Sequence, residues 1–309
     1  MLISSLPPAH QPDALRQIIE HPLIGAVRYN TGMSSAYKPQ EVVKRIQTLA
    51  KPLSKPVYID LKAKQLRIIE WANLPDGPIV LNHTVKIELP AKAFFRGDED
   101  AGCNIIEVVD GNKLFVDPLP KSPVGRGQAV NIVAKELKIN GGLLPLDHEY
   151  IEAGIKYGVA GFCLSFVECH QDINELNGII EKWKNRLNIY QNFEVILKIE
   201  SRAGIQFVQN SKQTLAPYRL MAARDDLMIQ IGLQAMPSAL RAIIRCDPKS
   251  ICASRLLLGL KDGNVSLADL SDLEYMRRLG YRNFMLSDGI SREHFLGAVK
   301  FWENYIDSK

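Results

Sequence analysis

Short runs of apolar residues, several of them followed by amphipathic stretches, constrain the fold of this chain more than any other feature. The runs are Met1–Ser5, Ile24–Tyr29, Val57–Leu61, Gly161–Val167, Val195–Glu200, Leu220–Ala223, Ser250–Arg255 and Asn283–Ser287. Runs of this length are typical of strands covered on both faces, and alternation with helices favours a parallel sheet. Apolar residues at helical spacing predict outer helices at Pro12–Glu20, Pro39–Leu49, Ile173–Trp183 and His294–Tyr305. Eight strand–helix units predict an α/β fold, the (β/α)8 TIM barrel.

The alternation fails between Ile68 and Asn140, where proline and glycine are frequent. Strand-like fragments occur there at Thr84–Leu89, Ile105–Val109 and Lys113–Val116, and Asp110-Gly111 is a hairpin signal. We therefore predict that residues 68–140 form a small β-rich domain inserted after the third barrel strand. Residues 1–67 and 141–309 would form the barrel, at roughly 240 residues, close to the usual length.

Charge and cysteine usage exclude several classes of protein. The 309-residue chain has a formal net charge of +4 with no basic block, which argues against nucleic acid as a partner. The 5 cysteines are widely spaced without a CxxC pair, which favours reduced thiols and a cytoplasmic protein. No signal peptide is evident at the N-terminus, and no apolar run approaches the ~20 residues of a spanning helix. We therefore expect no membrane partner.

Polar residues gather where the predicted strands end, which is where barrel enzymes build their sites. They include Arg28, Asn30, Asp60, Lys62, Ser165, Lys198, Glu200, Arg224, Asp225, Asp226, Ser254 and Asp288. Carboxylates from neighbouring strands, with substrate oxygens and water, form a typical Mg²⁺ site. Lysine and arginine beside such a site would neutralise the charge of a phosphoryl group or an enolate.

Structural roles would explain some of these residues one at a time. Lys198 and Glu200 would then be an ion pair inside the barrel, and Arg28 and Asp60 a salt bridge at its mouth. Asp225-Asp226 would be a solvated loop or a helix N-cap, and Ser254 alone is more typical of a structural serine. Their convergence on one mouth favours a functional site.

The strand-end motifs resemble those of the pyruvate kinase family, in the same order and over nearly the whole chain. Lys198–Glu200 with the following Ser-Arg-Ala-Gly is similar to the KIEN-x-x-G motif, and Ala223–Asp226 to ARGD. Asp60–Arg67 resembles DTKGPEIR, and Arg28–Gly32 resembles RxNxS. Other segments match the family more loosely. Gly141–Leu146 and Leu164–Val167 resemble the segment around that family's fourth strand. Cys252–Leu257 resembles ATQML, Ala268–Asp272 resembles AEVSD, and Met285–Asp288 resembles MLSGE.

The resemblance implies a lid role for the inserted domain and an enzyme that handles phosphoenolpyruvate or pyruvate with Mg²⁺ or Mn²⁺. Glu200 and Asp226 would hold the metal, and Lys198 would stabilise the transferring phosphoryl group and the enolate. Arg28 and Arg67 would contact phosphate.

The remaining roles also follow from the resemblance. The backbone around Ala223, Arg224 and Asp225 would hold the substrate carboxylate, and Ser254 stands where the family has a threonine tied to protonation of the enol. Asn30 and Asp60 would belong to a monovalent-cation site. We further expect a homo-oligomer.

Several positions depart from the family pattern. Gly32 and Leu61 replace a serine and a threonine, which argues against K⁺ dependence, and Met33 replaces a histidine, which leaves nucleotide binding open. Asp225 replaces the glycine of ARGD and adds a negative charge where a carboxylate would dock. The sequence stops after the last predicted barrel helix, so we expect a divergent short form without the family's C-terminal domain.

Three functional hypotheses remain. The leading one is phosphoryl transfer on phosphoenolpyruvate through an enolpyruvate intermediate, with ADP or a different acceptor. A Mg²⁺-dependent aldolase or lyase of the citrate-lyase-β (HpcH) type is the alternative, and the lid-like insertion and Lys198 argue against it. The third is a non-catalytic relative that binds a metabolite, against which the retention of Lys198, Glu200 and Asp226 argues.

Overall fold

A computed structural model describes residues 1–75, 77–95, 102–121 and 123–307. The strands are β1 (Leu2–Ser5), β2 (Ile24–Asn30), β3 (Val57–Leu61), β4 (Ile79–Val80), β5 (Thr84–Ile87), β6 (Ala91–Phe94), β7 (Cys103–Val109), β8 (Lys113–Asp117), β9 (Asn131–Ala134), β10 (Leu137–Asn140), β11 (Gly161–Leu164), β12 (Glu194–Ile199), β13 (Arg219–Ala223), β14 (Ile251–Ala253) and β15 (Asn283–Leu286). The α-helices are α1 (Pro12–Glu20), α2 (Pro39–Ala50), α3 (Pro145–Tyr157), α4 (His170–Leu187), α5 (Arg202–Asn210), α6 (Arg224–Ile231), α7 (Met236–Cys246), α8 (Leu267–Leu279), α9 (Asp288–Glu293) and α10 (Phe295–Asp307).

Eight of these strands form a closed parallel barrel in the order β1-β15-β14-β13-β12-β11-β3-β2. The barrel closes because β1 pairs with both β2 and β15, for example through Ile3, which lies opposite Ala26 and Met285. Each barrel strand derives from one of the apolar runs of the sequence. The predicted (β/α)8 fold is therefore confirmed.

Two apolar layers hold the barrel together. The inner layer fills the lumen with the side chains of Ile3, Ala26, Tyr58, Cys163, Ile196, Met221, Ile251, Ala253 and Met285. The outer layer packs the strands against the helices, for example Leu197 and Ile199 of β12 with Ile173 of α4. Full burial of each such side chain contributes about 1.5–3 kcal/mol, so the apolar runs specify both the strands and the layer that covers them.

An additional antiparallel β-structure lies between β3 and α3 in the chain. Its strands form a five-stranded sheet, β4-β8-β7-β6-β9, and a two-stranded sheet, β10-β5. The predicted hairpin is present, since β7 and β8 pair on either side of the turn that contains Asp110 and Gly111. These strands have an apolar core of their own, centred on residues such as Ile79, Leu114 and Ile132. We call residues 68–140 the insertion.

Asp147 of α3 ties the two ends of the insertion to the barrel. Its buried carboxylate accepts hydrogen bonds from the backbone N–H groups of Lys62 (2.8 Å) and Ala63 (2.9 Å), just after β3. The same carboxylate accepts from the N–H of Leu144 (3.0 Å), which precedes α3. One side chain thus fixes where the chain leaves the barrel and where it returns.

Among the described residues, no single helix is long and apolar enough to cross a membrane. One bent pair, Arg224–Ile231 with Leu233–Cys246, meets the length and composition criteria together.

Because the insertion has a separate core, we propose that residues 68–140 are an independent folding unit. Replacing them with a short flexible linker is expected to leave a barrel that unfolds cooperatively and retains its helical circular dichroism. Calorimetric unfolding of the shortened chain measures this. A chain that no longer folds would contradict the proposed boundaries.

Candidate functional site

A cavity of 310 Å³ opens at the carboxyl ends of the barrel strands. Its lining includes Arg28, Asn30, Arg67, Lys198, Glu200, Ala223, Asp225, Asp226 and Ser254, all of which the sequence indicated as site residues. Asp60 lies directly beneath it, in contact with Arg28 and Lys198. A larger cleft of 970 Å³ between the insertion and α5 contains none of the predicted site residues in its described lining.

Asp60 is the centre of charge below the cavity, and its side chain is fully buried. Arg28 forms a salt bridge to it, Lys198 Nζ lies 3.2 Å from its Oδ1, and Lys62 Nζ lies 3.5 Å from its Oδ2. Burial alone would raise the pKa of Asp60, but the charges of Arg28, Lys198 and Lys62 outweigh burial and hold it well below its ordinary value. Asp60 is therefore ionised and binds three cations in place.

Arg28 is held from a second side by Asp288, at the start of α9. Arg28 Nη1 donates to Asp288 Oδ1 at 2.8 Å and to the hydroxyl of Ser5 at 3.2 Å. Asn30 Nδ2 donates to the other oxygen of Asp288 at 2.7 Å. The guanidinium therefore has a fixed orientation at the edge of the cavity.

Lys198 and Glu200 leave β12 side by side, with Lys198 Nζ 3.0 Å from Glu200 Oε1. Glu200 Oε2 accepts a hydrogen bond from the N–H of Phe166 at 2.7 Å, whereas the buried Oε1 has no hydrogen-bond partner among the residues that the structure describes. Burial raises the pKa of Glu200 to about 7 despite the charge of Lys198, and the neighbouring charges of Asp226 and Asp60 add to the increase. The charge of Lys198 alone thus does not offset the burial of this carboxylate.

Asp225 and Asp226 lie in the first turn of α6, which begins directly after β13. The first backbone N–H groups of a helix have no partner within it, so this turn is suited to an anionic group. Asp225 Oδ1 lies 3.3 Å from Arg255 Nη1.

Arg224 faces away from the cavity. Its guanidinium contacts Asp272 at 2.7 Å and donates to the carbonyl of Ser254 at 2.7 Å. Its side chain therefore connects α6, α8 and the loop after β14. Ser254 itself lines the cavity with a left-handed backbone (φ 64°). That conformation ends β14 at Ala253, two residues before the predicted end of the run.

Arg67 spans the barrel and the insertion. Its guanidinium donates to Gln65 Oε1 at 2.9 Å, to the carbonyl of Gly32 at 3.0 Å and to the carbonyl of Gly127. Ala129 of the insertion lines the same cavity. The insertion therefore forms part of the cavity wall.

Backbone strain is concentrated at the same mouth. Ala63, Phe166, Ser254 and Arg255 all have positive φ without being glycine, and each follows a barrel strand. Such conformations cost on the order of 1–3 kcal/mol and cluster at functional sites. The strained turn at Phe166 is also the one that donates its N–H to Glu200.

Some residues of the site were given no role from the sequence. Lys62, Ser165 and Asp288 stand at strand ends, but nothing local assigned them a role. Ser165 accepts a hydrogen bond from Lys198 Nζ at 2.8 Å. Asn131, in the insertion, carried no signal at all, although its side chain contacts Asp226.

Comparison with known proteins identifies the family. The family model described as "Pyruvate kinase, barrel domain" matches residues 92–273, more than half of the chain. This chain belongs to that family. The pyruvate kinase of Thermotoga maritima is 23% identical over 244 residues, which cover 72% of this chain and 50% of that protein.

Other members are similarly distant. The pyruvate kinase of Thermoplasma acidophilum is 22% identical over 292 residues, covering 86% of this chain and 50% of that protein. Pyruvate kinase 2 of Synechocystis is 24% identical over 273 residues, covering 79% and 44%. The chain thus spans about half the length of the curated relatives it matches.

The charge balance at Asp60 leads to a stability prediction. Asp60→Asn leaves Arg28, Lys198 and Lys62 buried without their shared anion, so we expect the free energy of unfolding at pH 7 to fall by about 3–5 kcal/mol. Urea unfolding measures the difference. The pKa of Asp60 is depressed in the folded protein, so its stabilising contribution is present above the pKa of an unfolded carboxyl and is lost as the pH falls through about 4 and below. The deficit of the variant should therefore shrink in acid.

Asp110→Asn is the matched control, because Asp110 is exposed and forms a salt bridge with Lys113 three residues away. Its effect should stay within about 0.5 kcal/mol. Equal effects of the two substitutions would contradict the central position of Asp60.

Proposed function

We propose that this chain is the catalytic barrel of a pyruvate-kinase-like transferase, which uses phosphoenolpyruvate or pyruvate and passes through an enolpyruvate intermediate. The observation that carries the proposal is the common cavity of Lys198, Glu200 and Asp226 with Arg28, Arg67 and the first turn of α6. These groups match the three parts of the substrate: a carboxylate, an enol oxygen and a phosphoryl group.

The donor set fits Mg²⁺ or Mn²⁺. Glu200 Oε1 is a buried carboxylate oxygen that lies 3.0 Å from Lys198 Nζ and has no hydrogen-bond partner within the described part of the chain, and Asp226 lines the same cavity. Among the described residues no group of three or more histidine, cysteine, aspartate or glutamate side chains surrounds a metal position. Two carboxylates with substrate oxygens and water are sufficient for Mg²⁺. When bound there, the ion would supply positive charge to the oxygens of the substrate.

The residues do not fit a K⁺ ion in the same way. Asn30 Oδ1 accepts the N–H of Gly32 at 3.0 Å, and both oxygens of Asp60 contact protein cations. Gly32 and Leu61 have no hydroxyl oxygen. The positive charge at this position comes from Arg28, Lys198 and Lys62, and we assign no role to K⁺.

The chain's own residues divide the chemistry as follows. The N–H groups of the first turn of α6 hold the substrate carboxylate, and the phosphoryl group lies toward Arg28 and Arg67. Lys198, kept charged by Asp60 and Glu200, stabilises the negative charge that develops on the enol oxygen. To Ser254, which lines the same cavity, we assign the transfer of the proton that converts the enol to pyruvate.

Asp225 makes the site selective against some anionic groups. Because Asp225 is part of the first turn of α6, its carboxylate repels an anionic group that docks at that turn unless Arg255 holds the carboxylate aside. Asp225, Leu61 and Met33 differ from the residues that the family motifs have at these positions. The proposal therefore includes two classes of phosphoryl acceptor, which are ADP and an acceptor other than ADP. The insertion, which supplies Ala129 to the cavity wall and contacts Arg67, favours this transferase over a lyase.

Mg²⁺-dependent release of pyruvate from phosphoenolpyruvate, with and without ADP, tests the proposal when phosphate and nucleotide are followed in parallel. Lys198→Met should lower turnover by about 10²-fold or more with an unchanged circular dichroism spectrum. Lys156→Met, at an exposed position on α3, is the matched control and should retain full activity. Wild-type turnover in Lys198→Met would refute the assignment of Lys198.

The metal assignment has its own test. Glu200→Gln should weaken Mg²⁺ affinity by more than the about 10–100-fold that outer-shell partners contribute, because it replaces a proposed ligand. Isothermal titration calorimetry with MgCl₂ measures the affinity, and Glu149→Gln on the exposed face of α3 serves as the control. An affinity equal to that of the control would remove Glu200 from the metal site.

A further inference from the structure

The insertion reaches the barrel mouth through Asn131, the first residue of β9. Asn131 is only 5% exposed. Its Nδ2 donates to Asp226 Oδ1 at 2.7 Å, across the boundary between the insertion and the barrel. A residue of the insertion thus contacts one of the two carboxylates that we assign to the metal.

Gln230, one turn after Asp226 on α6, fixes the orientation of the Asn131 amide. Gln230 Nε2 donates to the carbonyl of Ile132 at 2.9 Å and lies 3.4 Å from Asn131 Oδ1. The amide oxygen of Asn131 therefore faces a donor, which leaves its NH₂ group to face the carboxylate. The hydrogen bond to Asp226 is built into the contact between β9 and α6.

A carboxylate on a short side chain rotates unless one of its oxygens is held. The bond from Asn131 restrains Oδ1 of Asp226, so that Oδ2 keeps one orientation. Carboxylates that ligate metals are commonly held by such outer hydrogen bonds, and loss of one costs about 10–100-fold in metal affinity. We propose that Asn131 is a positioning residue that orients Asp226 for the metal, so that the insertion completes the site. This inference rests on the metal site of the proposed function.

The two ends of this contact are linked thermodynamically. If docking of β9 raises the affinity of Asp226 for the metal, then the metal must strengthen the docking of β9 by the same factor. Asn131 therefore transmits metal occupancy to the insertion, whose core is separate from that of the barrel.

The first measurement is Mn²⁺ affinity of the whole chain, from the paramagnetic resonance signal of free Mn²⁺, in the wild type and in Asn131→Leu. We expect a loss of about 10–100-fold in affinity. Asn104→Leu, at an exposed asparagine of β7, is the matched control and should bind like the wild type. Asn131→Ser is a second variant whose side chain stays polar but is too short to reach Asp226, and it should show a similar loss.

A double-variant cycle shows whether Asn131 acts through Asp226. Added to Asp226→Asn, the Asn131→Leu change should have little further effect, since the carboxylate that it orients is already gone. Amide hydrogen exchange gives the reciprocal readout. Mn²⁺ should slow exchange in β9 of the wild type and leave it unchanged in Asn131→Leu.

Three outcomes would overturn the inference. Wild-type Mn²⁺ affinity in both Asn131 variants would show that the hydrogen bond does not orient a ligand, and full additivity with Asp226→Asn would show that Asn131 acts elsewhere. Failure of the wild type itself to bind Mn²⁺ would reject the metal site of the proposed function. The wild-type titration distinguishes this outcome from the other two, because both of those require a wild type that binds Mn²⁺.

Discussion

The buried charge of Asp60 is the interaction on which the barrel mouth depends. An isolated carboxylate in that position would be costly to bury, and its interactions with Arg28, Lys198 and Lys62 offset the cost only while all three stay in place. Each of these cations comes from a different part of the chain: β2, β12 and the loop after β3. One anion therefore fixes the relative positions of three strand ends, and the same cations face the cavity above it.

At the base of the barrel mouth, carboxylates neutralise the cations. At its side, cations only partly neutralise the carboxylates. Asp60 and Asp288 hold Arg28, whereas Glu200 has a pKa raised by burial and a buried oxygen that accepts no hydrogen bond from any described residue. This asymmetry accounts for the proposed binding of a divalent cation beside Glu200 and Asp226, and of an anionic substrate between that cation and the fixed positive charges. The insertion bears on both parts, through Arg67 and through Asn131.

The sequence predicted the barrel well, because each strand is a continuous apolar run. Such a run indicates a buried strand even when its tertiary contacts are unknown. The sequence placed Lys198, Glu200 and Asp226 at one mouth for the same reason. It did not assign a role to Asp288, which contacts Arg28 from 260 positions away, nor to Asn131, whose proposed role depends on a contact between the insertion and the barrel. It gave no bounds for α6 and considered only a helix N-cap at Asp225-Asp226, because Leu227 is the buried apolar residue of that helix in the described structure. The run at Ser250–Arg255 was predicted too long, since Ser254 and Arg255 turn left-handed.

Exchange of the methyl protons of pyruvate with deuterium is the most direct measurement of whether the site stabilises the enolate. It needs no knowledge of the phosphoryl acceptor. Proton magnetic resonance follows the exchange in D₂O with Mg²⁺ and inorganic phosphate. We expect exchange that requires Mg²⁺ and is lost in Lys198→Met. Exchange no faster than in the absence of protein, under conditions where Mg²⁺ and pyruvate are bound, would contradict a site that stabilises the enolate.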